Sequence, residues 1–346
     1  MTRNARSSLS YVIVVLGVRL WLAGCSNKSG RELDAADSNK PSRNDSRASP
    51  TPLTPFDTGT LKGSFLFFSL EGQQQRLSEA DFAGIGECVY KPLGVPLVNK
   101  TRPNSLFLPE WILRPKEPRD GTLWRAAYFV MPEHICHGIR VRYLHQNFAA
   151  TGLRCTLEYR AVRDMLLLDG YIEPTRSHTN LELMFASYLP NRLNATYVPA
   201  KVNGGIVWRK IPNRVEFWKS TYFIASSSET MRWHRDGRFS DATELGDWSA
   251  VYSADWPFAA PVLVNIEESS GLAAITFVDD YCTTLVGQYH PNDTAHDFTW
   301  GFDSLKPGQK IHTRAALWIT QLKGTHEERM RRVYKRYQSW RRSWAK

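Results

Sequence analysis

The sequence predicts a mostly β chain, an antiparallel β-sandwich closed by a C-terminal amphipathic helix. Three observations predict it. Apolar and polar residues alternate with period two through most of the chain from Phe56 onward; Gly, Pro, Asn or Asp usually separates the runs; and no long helical pattern intervenes before residue 325. The 12 Trp, 14 Tyr and 16 Phe suit sheet cores and flat ligand grooves alike.

The chain opens on the basic stretch Met1-Thr2-Arg3-Asn4-Ala5-Arg6 and the apolar run Tyr11-Val12-Ile13-Val14-Val15-Leu16-Gly17-Val18. After Arg19 it continues Leu20-Trp21-Leu22-Ala23-Gly24-Cys25. A positive start, a short apolar run and small residues before a cut are the parts of a secretory signal. The run is too short for a conventional transmembrane span. Leu22-Ala23-Gly24-Cys25 resembles a bacterial lipobox. That resemblance implies a signal peptide over 1–24, lipid on Cys25, membrane lipid as a partner, and a place in the bacterial cell envelope outside the cytoplasm.

Residues 25–55 change in composition to Ser, Asn, Asp, Lys, Arg and Pro, which cannot form a core and predict a disordered tether. The sandwich is expected over 56–324. Its clearest strand is 153–161, where Leu153, Cys155, Leu157, Tyr159 and Ala161 alternate with Arg154, Thr156, Glu158 and Arg160. Gly138-Ile139-Arg140-Val141-Arg142-Tyr143 precedes it, and similar runs occupy 63–70, 123–131, 165–172, 181–188, 215–224, 261–266, 273–278 and 311–320. In 325–346, Met330, Val333, Tyr334, Tyr337, Trp340 and Trp344 recur at helical spacing, with Glu327 and Glu328 in the first turn as the helix dipole prefers. The stripe either closes a sheet and leaves a solvated basic face, the reading a sandwich favours, or lies on anionic lipid.

The net charge of +10 is local. The last 24 residues carry nine Lys or Arg against Glu327 and Glu328, and Arg3, Arg6 and Arg19 belong to the signal, which leaves the remainder neutral. A basic nucleic-acid groove is therefore not expected. Beyond Cys25 stand Cys88, Cys136, Cys155 and Cys282, which read either as disulfide partners in three pairings or as buried small apolar residues.

G-x-S-x-G, H-E-x-x-H, P-loop and CxxC motifs are all absent, so neither cofactor nor metal is expected. The densest chemical segment is 231–256, with Trp233, His234, Arg235, Asp236, Trp248, Asp255 and Trp256 in a stretch lacking strand alternation. Indole faces stack on sugar rings while Arg, Asp and His bond hydroxyls, so Trp233, Arg235, Asp236 and Trp248 are binding candidates. A second segment runs Asp279-Asp280-Tyr281-Cys282 and on through His290, His296 and Asp297. His290 is a candidate acid–base residue and His296 a binding residue. Glu133-His134-Ile135-Cys136-His137 reads as a turn before a strand.

Residues 261–320 run strand, Glu267-Glu268-Ser269-Ser270-Gly271 turn, strand, His290 loop, strand, Leu305-Lys306-Pro307-Gly308-Gln309 turn and closing strand. This order resembles galactose mutarotase-like β super-sandwich proteins. In that family a His acts as general acid and a Glu as general base in opening a sugar ring. The resemblance would assign those roles to His234 or His290 with Glu267 or Glu268. The expectation is a membrane-anchored lipoprotein whose sandwich engages a glycan, by binding or by mutarotase-like chemistry. The alternative is a non-catalytic scaffolding lipoprotein whose aromatic loops contact protein.

Overall fold

The computed structural model describes residues 54–66, 84–98, 106–113, 122–123, 130–143, 152–212, 220–227, 249–289 and 293–343. Cys25, the signal and nearly all of the tether lie outside them, as do Trp344, His290 and the segment 228–248. Twenty strands are present among the described residues, and two large sheets face one another.

One sheet has nine strands. In spatial order they are β13 (Gly205–Lys210), β12 (Ala195–Val202), β16 (Val262–Ile266), β17 (Leu272–Val278), β20 (Ile311–Gln321), β10 (Met165–Pro174), β9 (Leu153–Val162), β8 (Gly138–Tyr143) and β7 (Val130–Ile135). The other has seven: β15 (Ser249–Ser253), β14 (Ser220–Ser226), β18 (Cys282–Tyr289), β19 (Asp293–Leu305), β11 (His178–Pro190), β5 (Leu108–Leu113) and β6 (Thr122–Leu123). All pairings are antiparallel except β14 with β15, which run parallel. A further sheet of β1 (Thr54–Asp57), β2 (Leu61–Leu66), β3 (Gly84–Tyr90) and β4 (Val95–Pro96) adds Leu61, Phe65 and Ile85 to the same core. β1 starts inside the expected tether: Phe56 packs on Phe65 with ring centroids 5.0 Å apart.

Alternation sets which residues fill the space between the sheets. β9 points Cys155, Leu157, Tyr159 and Ala161 inward. β11 and β19 point Phe185, Phe298 and Trp300 to meet them; Phe185 stacks on Phe298 at 5.3 Å and meets Trp300 edge-on at 4.6 Å. Cys88, Cys155 and Cys282 are buried as free thiols, with burial pushing the Cys88 thiol up to about 12. Cys136 is an exposed free thiol in the turn between β7 and β8, beside His137 at φ 61°.

The outer face of the nine-stranded sheet is covered in two ways. Helix α1 (His326–Arg342) lays Met330, Val333, Tyr337 and Trp340 on β16, β17 and β20, where Phe277 sits 5.7 Å from Tyr337 and 5.6 Å from Trp340. A capping box starts it: the Glu328 N–H donates to Thr325 Oγ1, and the Thr325 N–H donates to Glu328 Oε2 at 2.8 Å. The aromatic stripe is thus spent on the sheet rather than on lipid. Over β8, β9, β10 and β20 the face is instead polar. There the buried Asp169 takes Arg160, Arg314 at 2.9 Å and His312 at 2.8 Å.

β12 and β18 went unread in the sequence for one reason. Side chains on both of their faces are buried, so period two disappears, whereas β16 and β17, also buried, match the runs at 261–266 and 273–278. The stretch from Cys282 to Asp297, expected as a polar loop, is the β18–β19 hairpin, with only 290–292 outside the described residues.

Replacing Phe277 by Ala removes the ring on which the α1 seam converges and should cost about 3–5 kcal/mol in denaturant unfolding. Arg331→Ala, on the exposed face of α1, should stay within about 0.5 kcal/mol of the parent.

Candidate functional site

One end of the sandwich gathers turns from both sheets. The β11–β12 turn carries Arg192 and Leu193, the β16–β17 turn carries Glu267 to Gly271, and β18 ends at Tyr289 where β19 starts at Asp293. Arg192 grips Glu267 bidentately, Nε to Oε1 at 3.1 Å and Nη2 to Oε2 at 2.7 Å, and Ser270 Oγ donates to the same carboxylate. Arg192 first, then Ser270, holds the Glu267 carboxyl below its ordinary range. Gly271 closes this turn at φ 73°; a Cβ there would come within 2.1 Å of the Leu322 carbonyl oxygen. Glu268 points away from the end, to Tyr197 and to Lys210 Nζ at 3.0 Å, and both partners lower its carboxyl.

Beneath this end runs a file of buried polar groups. Thr294 Oγ1 and Asn265 Nδ2 both donate to the Leu193 carbonyl, at 3.3 and 3.1 Å. Because the Asn265 amide nitrogen is thus committed, its Oδ1 accepts from His296 Nδ1–H at 3.3 Å, and His296 Nε2 accepts from Thr276 Oγ1 at 2.8 Å. His296, expected at a binding position, is 1% exposed inside the sandwich. Burial lowers it to about 3, so it is a neutral positioning group for the Arg192 turn.

The outer face of the seven-stranded sheet is polar as well, and buried. Glu182 on β11 faces outward between core residues Leu181 and Leu183. A bulge at Cys282/Thr284 turns Thr283 over Gly301, where a Cβ would meet Thr283 Cγ2 at 2.2 Å. Thr283 Oγ1 lies 2.6 Å from Glu182 Oε1 and 2.7 Å from Thr299 Oγ1. Further along, Gln288 Nε2 donates to Asp297 Oδ2. Glu182 opposes Gly301 and Asp297 opposes Ala186, which sets the two carboxylates about 13 Å apart along the ladder. Both are 1% exposed. A carboxylate buried on the side of a sheet away from the hydrophobic core marks a functional-site candidate.

The remaining sequence candidates are divided between described and undescribed residues. Trp233, His234, Arg235, Asp236, Trp248 and His290 lie outside the described residues, but their anchor points are described. The 228–248 segment leaves after Ser227, whose N–H donates to the Thr283 carbonyl at 3.0 Å, and returns at Ser249, paired with Ser220. Thr221 in turn pairs with Tyr289, so the residues next to Trp248 and His290 stand two strand spacings apart, about 10 Å. Trp256 is half-buried between Phe223 at 6.2 Å and the Arg209 guanidinium at 5.6 Å, a packing role. Asp279 accepts from the Arg314 and Tyr281 N–H groups at the far end of β17, and burial raises its carboxyl to about 7. His134 and His137 stay exposed around the β7–β8 turn. Among the described residues no group of three His, Cys, Asp or Glu could hold a metal ion.

Sequence reading missed Glu182, Arg192, Thr283 and Gln288. Glu182 was legible as the one charge in the alternating run 181–188. Arg192 was not, since its partner lies 75 residues away.

No protein-family model matches the chain, and no curated protein sequence matches it. Solved structures share its fold. The Slr1438 protein from Synechocystis sp. PCC 6803 superposes with TM-score 0.50 at 10% identity, over 79% of this chain and 96% of that one. A protein from Escherichia coli K12, provisionally assigned as an aldose 1-epimerase, gives TM-score 0.50 at 10% identity over 78% and 99%. A galactose mutarotase related enzyme from Lactobacillus acidophilus gives 0.48 at 7% identity over 78% and 97%. The chain therefore shares the antiparallel β-sandwich fold of the Synechocystis and Escherichia coli proteins, the fold class the sequence predicts.

Unfolded His296 takes up a proton near its ordinary value of about 6.5, while the folded residue resists until about 3. The neutral residue's contribution is whole above pH 6.5 and is lost as pH falls toward 3, by about 2 kcal/mol between pH 7 and pH 5. Asp279 slopes the opposite way in the same window, so the difference between parent and His296→Gln in denaturant titrations is the readout. The variant should lack the acid loss; equal slopes in the two proteins would contradict the placement of His296.

Proposed function

We propose that this protein is a cell-envelope lipoprotein, anchored through Cys25, whose sandwich binds carbohydrate over the outer face of the seven-stranded sheet. The observation that carries the reading is the buried polar face of Glu182, Thr283, Thr299, Gln288 and Asp297, bordered by both anchor points of the Trp-rich segment 228–248. Carboxylates, amide and hydroxyls satisfy sugar hydroxyls, and Trp233 and Trp248 supply the stacking faces. The fold shared with an epimerase-type protein fits a sugar ligand. We place binding ahead of mutarotase-like ring opening. Arg192 and Ser270 occupy the Glu267 carboxylate and Tyr197 and Lys210 that of Glu268, and both sets of partners lower the carboxylate's affinity for a proton, which weakens each as a general base. A second reading, a scaffolding lipoprotein, draws on Ile206 and Val207, both exposed on edge strand β13.

A glycan-array screen of the purified protein is expected to yield an oligosaccharide ligand. Trp233→Ala and Trp248→Ala should each weaken its binding about tenfold, the effect of losing one stacking contact. Their melting temperatures should match the parent. Falling melting temperatures with intact affinity would make these residues core and return the scaffold reading.

For the anchor, Cys25→Ala should release the protein from the membrane fraction or block its maturation. Normal processing with undiminished membrane retention would refute lipidation.

A further inference from the structure

Helix α1 has two sides. Met330, Val333, Tyr337 and Trp340 are buried on the sheet. Three arginines are tied to the sandwich: Arg329 Nη1 donates to the Glu268 carbonyl at 3.0 Å, Arg336 Nη2 to Asp164 Oδ1 at 3.3 Å, and Arg341 Nη2 to Asp280 Oδ2 at 2.6 Å. Arg331 pairs with Glu327. Arg332, Lys335 and Arg342 are exposed, and among the described residues none has a carboxylate at ion-pair distance. At 100° per residue, Arg331, Arg332, Lys335 and Arg342 share an arc of about 100° opposite the buried stripe.

The β9–β10 turn links α1 to the end of β1. Thr58, directly after β1, donates through Oγ1 to the Arg163 carbonyl. The next residue, Asp164, accepts from Trp318 Nε1 at 2.7 Å and from Arg336 of α1. The nine Lys or Arg of the last 24 residues are also where the chain's net charge resides.

We propose that the outward face of α1, through Arg332, Lys335 and Arg342, docks on a membrane surface by binding anionic lipid headgroups. Charge complementarity selects the headgroup phosphates. With the apolar stripe spent on the sheet, the contact is electrostatic and does not insert, so it is salt-sensitive. It rests on the proposed Cys25 anchor only for proximity: lipid on Cys25 holds the chain at a bilayer, and this face supplies the charge that meets the headgroups.

The test is co-sedimentation of the full chain carrying Cys25→Ser, which removes the anchor and separates this contact from lipidation. Vesicles of phosphatidylglycerol with phosphatidylcholine are compared with phosphatidylcholine alone. The expected result is preferential binding to the anionic vesicles that disappears between about 0.05 and about 0.5 M salt. Lys335→Gln should weaken it about fivefold, and Arg332→Gln, Lys335→Gln and Arg342→Gln together roughly a hundredfold. The three arginines of the N-terminal segment are common to every variant, so they cancel in the comparison. Unchanged binding by the triple variant, or equal binding to both vesicles, would overturn the proposal. So would tighter capture by soluble dextran sulfate than by anionic vesicles, which would assign the face to another polyanion.

Discussion

The structure depends on covering both faces of a nine-stranded sheet. Its inner face is met by Phe185, Phe298 and Trp300 of the opposing sheet. Its outer face needs α1 over β16, β17 and β20, and a ladder of ion pairs around Asp169 over β8 to β10. An uncovered apolar sheet of this size would present a large patch for association. Helix α1 is therefore part of the fold, and what it leaves outward is charge.

That double coverage also governs what the sequence could reveal. β8 and β9 face a core on one side and water on the other, and their alternation reads directly. β18 is buried throughout, and there the pattern fails. β12 and β13 went unread although they carry a local signal: Asn203-Gly204, with φ of 49° and 79°, is a tight hairpin turn of the kind Asn-Gly pairs favour. The helix was readable from its spacing and from Glu327 and Glu328 in its first turn.

For the site, residue type was more legible than position. Glu267 was expected in a turn and is in one, yet the guanidinium that grips it comes from Arg192. His296 looked like a surface ligand because it stands among polar residues; of these, Thr294 is a buried position in the same inner file and Asp297 a buried one on the opposite face. Buried polar groups with complete partners specify geometry rather than add much net stability. Here the file from Thr276 through His296 and Asn265 to the Leu193 carbonyl positions the turns at the end of the sandwich.

The central claim is that ligand is held over the outer face of the seven-stranded sheet. Hydrogen–deuterium exchange with a binding oligosaccharide tests it directly, because each strand reports separately. The account predicts new protection at 182–188, 283–289 and 293–299 and across 228–248, with 138–142 and 327–342 unchanged. Protection confined to the outer face of the nine-stranded sheet, or to the edge strand at 205–210, would contradict it.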